Sequence, residues 1–113
     1  LVGNGLITNQ QTLQDTPELA RAMNRAFLRS IQYTIDHPDE AYEISKKYVE
    51  NLAQADETVQ KQVLAASIEL WKGAALGRSD LQSWQNMQEI LLGMGLMPQA
   101  VELEKAFSNE YLP

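Results

Sequence analysis

Cysteine is absent from this 113-residue chain, which excludes a disulfide framework, an iron–sulfur cluster, a thiolate zinc site and a cysteine nucleophile. Basic residues are scarce. Nine lysines and arginines face fifteen aspartates and glutamates, for a net charge of −6. Phosphate binding draws its affinity from cationic side chains that release counterions, so nucleic acid is not an expected partner. Residues 80–113 hold five carboxylates and one lysine, Lys105, and read as a solvated acidic surface. No run approaches the roughly 18 apolar residues that cross a bilayer. No basic segment followed by an apolar one marks an export leader within these residues.

Catalytic patterns are equally scarce. There is no Walker loop, no GxSxG and no HExxH. The sole histidine, His37, stands before Pro38 at an expected helix boundary, and the acids beside it, Asp39 and Glu40, suit the positive end of a helix dipole better than a metal. No catalytic residue, metal site or cofactor is expected. On these residues enzymatic signals are thin.

What the sequence does contain is helical periodicity. Asp15 or Thr16 caps a first long helix with Pro17 in its opening turn. Its apolar stripe is Leu19, Met23, Ala26, Phe27, Ile31 and Ile35, and it stops near His37 because the residue before proline is pushed out of the helical region. Pro38 opens a second helix, with Ala41, Ile44, Tyr48 and Val49 as its apolar face. Asp56 caps a third, whose stripe is Val59, Val63, Ala66, Ser67, Leu70 and Trp71. After a loop bracketed by Gly73 and Gly77, Ser79 or Asp80 caps a fourth, with Trp84, Met87, Leu91 and Met94 inward and Gly95 as its left-handed stop. Residues 99–107 predict a weaker fifth helix, and 108–113 a tail. Both tryptophans lie on apolar stripes and read as packing residues. Arg21, Arg25 and Arg29 make a basic ridge that reads as solvated or ion-paired.

Residues 1–9 do not fit that pattern. Leu6, Ile7 and Thr8 favour an extended strand, yet a lone strand cannot satisfy its ladder groups. Gly3-Asn4-Gly5 lacks the third glycine of a dinucleotide loop and precedes the strand instead of following it. A turn or hinge is the plainer reading of it, and ligand contact by Asn4 the sharper one. The chain opens Leu-Val-Gly-Asn-Gly without methionine, as a processed product or an excised piece would.

The run Gly3-Asn4-Gly5-Leu6-Ile7-Thr8, then Thr16-Pro17-Glu18-Leu19, then Tyr33 to Ala41 through His37-Pro38-Asp39-Glu40, the pair Leu70-Trp71, and the closing Asn109-Glu110-Tyr111-Leu112-Pro113 together resemble the C-terminal part of ABC-transporter substrate-binding proteins related to the fungal thiamine-pyrimidine synthase. The resemblance implies a mainly α piece, one N-terminal β-strand plus four or five helices, cut from an α/β type II periplasmic-binding fold. Residues 1–113 are then a single C-terminal domain. Residues 1–9 are the strand returning through the hinge, 16–107 the helices and 108–113 the tail.

It further implies a small heterocyclic ligand, such as a thiamine pyrimidine precursor or riboflavin, and an ABC permease as partner. The location would be periplasmic or extracellular and membrane-anchored, and the ligand would meet Gly3, Asn4 and Gly5. A piece deprived of its sheet should expose apolar surface and tend to dimerise through the strand or a helix face. Two rival readings are a self-contained helical interaction module and part of a pyrimidine-synthesis enzyme. The latter needs a histidine or cofactor-binding lysine in preceding sequence.

Overall fold

A computed structural model describes residue 3, residues 5–73 and residues 75–113. The described residues are mainly helical: α1 (Gln10–Asp15), α2 (Pro17–Asp36), α3 (Pro38–Ser45), α4 (Glu57–Trp71) and α5 (Leu81–Gly93), with short 3-10 turns at Leu52–Gln54 and Leu103–Lys105. The chain divides into two compact units, one formed by residues 1–25 with 77–113, the other by residues 26–76.

The helix boundaries follow local chemistry. Asp56 accepts the Val59 amide at 3.1 Å and Asp80 the Ser83 amide at 2.9 Å, so each carboxylate satisfies a donor that has no partner inside the helix. Pro38 occupies the first turn of α3, with Asp39 and Glu40 beside it. At the end of α5, Gly95 turns left-handed (φ 69°), the Gly95 amide reaches Leu92 O at 3.0 Å and the Leu96 amide reaches Leu91 O at 2.9 Å. That is the double bond of a Schellman stop, which glycine adopts without a Cβ clash.

Three expectations need correction. No strand forms among the described members of the 1–9 segment, residues 3 and 5–9; Leu1, Val2 and Asn4 lie outside the described residues. An isolated extended segment has no neighbour to complete a ladder, and Ile7 is almost fully exposed. Asn9 instead caps α1, accepting the Thr12 amide at 2.8 Å; this short helix was not anticipated, although an Asn before Gln-Gln-Thr is an N-cap signal. The Thr16 hydroxyl turns back to donate to Thr12 O at 3.2 Å. Residues 99–107 form only one 3-10 turn, Leu103–Lys105, and the Val101 amide ahead of it donates to the Gln88 side chain at 2.7 Å.

The third correction concerns which helix faces are covered. Among the described residues only Ala41, Tyr42 and Ile68 are buried. They lie on α3 and α4, which pack together in the unit of residues 26–76. Of the stripe expected inward on α4, Val59, Val63, Ala66, Leu70 and Trp71 are exposed and only Ser67 is half-buried; the covered residues beside it are Leu64, half-buried, and Ile68, buried. On α2, Leu19, Met23, Ala26 and Phe27 are likewise exposed, while Leu28, Ile31 and Ile35 are half-buried. On α3, Ala41 is buried as expected but Ile44 is exposed; the helix ends at Ser45, so Tyr48 and Val49 lie beyond it and are exposed. In the other unit Trp84, Met87 and Leu91 of α5 are half-buried as expected, and Met94 is exposed.

Candidate functional site

The expected ligand-contact residues sit on open backbone. Gly3 and Gly5 are exposed, and a Cβ built on either would meet no atom within 4 Å. Asn4 lies outside the described residues.

His37 is exposed and occupies the N-cap position of α3 without making a side-chain cap bond. Its ring lies 4.7 Å from that of Tyr33, tilted by 45°. The Glu40 carboxylate beside Tyr33 holds the phenolic proton and pushes its pKa up. Among the described residues no three of His, Asp or Glu converge as metal ligands. A shallow depression runs along α2 between Arg29, Ser30, Gln32, Tyr33 and Asp36. It follows the surface of one helix, where Gln32 donates to Asp36 at 3.0 Å, and has no enclosing wall.

The basic ridge is not a unit. Arg21 leaves it: the guanidinium donates to Glu110 O at 2.5 Å, stands 5.3 Å from the centre of the Tyr111 ring and pairs with Glu18 at 3.4 Å. Arg25 and Arg29 remain exposed. Trp84 stacks on Phe107, rings parallel and 5.0 Å apart, as a packing residue does. Trp71 stands half-open at the end of α4.

The densest polar arrangement joins α3 to α4. Lys61 pairs with Asp39 and with Glu57, each at 3.0 Å, and Lys46 pairs with Glu43 at 2.7 Å and Glu57 at 3.1 Å. Both ammonium groups stand over the buried Tyr42 ring, 4.9 and 5.5 Å from its centre. These contacts raise both lysine pKa values, for Lys61 chiefly through Glu57 and for Lys46 chiefly through Glu43, and lower that of Glu57 chiefly through Lys61. Each of these five side chains has an ion-pair partner, so the arrangement fastens α3 to α4. Sequence reasoning missed it, because Tyr42 lies outside the stripe expected on α3.

Comparison with known proteins places these observations. Residues 1–41 match the family described as NMT1/THI5 like. Across its whole length the chain is 32% identical, over 118 aligned residues, to the riboflavin-binding protein RibY of Chloroflexus aurantiacus, of which it spans 34%. The chain thus covers about a third of the length of this curated relative. No solved structure matches it.

Proposed function

We propose that this chain, similar over residues 1–41 to the family described as NMT1/THI5 like and along its length to a riboflavin-binding protein, is the C-terminal portion of an extracytoplasmic solute-binding protein serving an ABC importer. The observation that carries this reading is identity along the entire chain to a riboflavin-binding protein. The ligand class is a flat nitrogenous heterocycle, riboflavin first and a thiamine pyrimidine precursor second. Capture proceeds by closure of two lobes about a hinge that buries most of the ligand. In the intact protein residues 1–9 return through that hinge as a strand beside a sheet supplied by other sequence, with Gly3, Asn4 and Gly5 at the cleft floor. Residues 1–113 serve as one C-terminal domain.

The exposed apolar stripes on α2 and α4 support this reading. A helix that lies on a sheet has a broad apolar face, and here those faces are open. A self-contained interaction module would cover them. The synthase alternative has less support, since the relative matched along the whole chain is named for binding.

The parent reading frame provides the test. Titration calorimetry with riboflavin and with a hydroxymethylpyrimidine should show micromolar or tighter binding by the intact protein to one of them, and none by residues 1–113 alone. Asn4→Ala in the intact protein should weaken binding about tenfold, the usual effect of one lost buried hydrogen bond. An intact protein indifferent to both compounds would refute the transport reading. Tight binding by the isolated chain would refute the division of the cleft.

A further inference from the structure

The unit formed by residues 1–25 and 77–113 joins two stretches far apart in the chain. Among the described residues, each side-chain hydrogen bond spanning thirty or more positions ends on Asn109, Glu110 or Tyr111. The Asn109 amide grips the main chain of Ser79 at two points, accepting its N–H at 3.0 Å and donating to its carbonyl at 2.8 Å. Ser79 immediately precedes Asp80, the residue that caps α5. From the other side α2 reaches in. Asn24 donates to Tyr111 O at 2.9 Å, Arg21 donates to Glu110 O, and the Arg21 guanidinium covers the Tyr111 ring. One residue before the segment, Phe107 stacks on Trp84 of α5.

From this geometry we infer that residues 108–113 are a latch, a segment whose side chains and carbonyls tie the first half of α2 to the start of α5 and without which that unit opens. The segment has no regular structure of its own; a turn closed by the Leu112 amide on Asn109 O at 3.3 Å and the Ser108 hydroxyl accepting the Glu110 amide at 3.1 Å shape it. Asn109, Tyr111 and Leu112 are half-buried. Asparagine suits the contact with Ser79, because its amide offers one donor and one acceptor side by side, the pattern a neighbouring strand would offer. The inference is independent of the proposed ligand, and its failure would leave the transport reading untouched.

Hydrogen exchange followed by mass spectrometry on the full 113-residue chain tests it. Asn109→Ala should speed exchange about tenfold over Leu81–Gly93 and over residues 20–25, leaving α3 and α4 at the parental rate. Asn24→Ala should act on the same two stretches. Asn109→Asp keeps the acceptor and loses the donor, and should give a smaller change in the same places, which preserves the test if the alanine variant fails to fold. Unchanged exchange in Asn109→Asp and Asn24→Ala would overturn the latch. So would acceleration spread equally over α3 and α4, or a parent chain without protection over Leu81–Gly93.

Discussion

Tyr42 shows how one side chain divides its roles. Its ring is buried beneath two ammonium groups, and its hydroxyl is buried with no hydrogen-bond partner among the described residues. A lone buried hydroxyl contributes nothing favourable and carries a desolvation cost, whereas the ring fills the space between α3 and α4. Tyr42→Phe should therefore leave stability unchanged or raise it slightly, and Tyr42→Ala should lower it by about 3 kcal/mol, the usual cost of deleting a buried aromatic ring. Urea unfolding followed by circular dichroism distinguishes the two outcomes, and a Phe variant as unstable as the Ala variant would show that the hydroxyl matters. Tyr42 is not one of the residues that helical spacing picks out on α3, because its partners come from the far end of α3 and from α4.

Between elements, the same junction depends on charge. A carboxyl with a lowered pKa, as Glu57 has, contributes stability above its unfolded value of 4.5 and loses that contribution as pH falls below it. The raised ammonium groups of Lys46 and Lys61 contribute below 10.5 and lose their contribution as pH climbs past it. The α3–α4 pairing should therefore hold through neutral pH and weaken below about 4.5. Because these side chains face solvent, molar salt should weaken it too. Exchange rates in α3 and α4 at pH 3.5 and pH 6 measure this, and Glu57→Gln should flatten the difference. The choice of face on α4 is testable in the same assay: Ile68→Ala should cost about 2–5 kcal/mol, while Leu70→Lys, at an exposed position, should stay within about 0.5 kcal/mol. Both sets of positions repeat at helical spacing, so periodicity marks the helix without deciding which stripe this chain covers.

At the scale of the molecule, open apolar stripes on α2 and α4 are surface that water solvates poorly. In isolation the chain should self-associate, its molar mass by light scattering rising with concentration. Leu19→Glu with Val63→Glu should return it to a monomer. A clean monomer at high concentration in the unmodified chain would contradict this. The candidate ligand contact is legible only through family resemblance. A Cβ built on Gly3 or Gly5 would meet no atom within 4 Å, and glycine flexibility alone does not name a ligand.

Helix starts and stops were determined by the sequence, since Asp56, Asp80, Pro38 and Gly95 act on groups within about five residues of themselves. Tertiary structure alone decided that Ile68 and Tyr42 are covered while Val63 and Leu70 are not, that Arg21 leaves its ridge for Tyr111, and that Asn109 answers Ser79 thirty positions away. Caps and stops are near-neighbour hydrogen bonds, so the order of residues suffices to predict them. A covered face depends on which surface a remote part of the chain presents to it, and that is a property of three-dimensional arrangement.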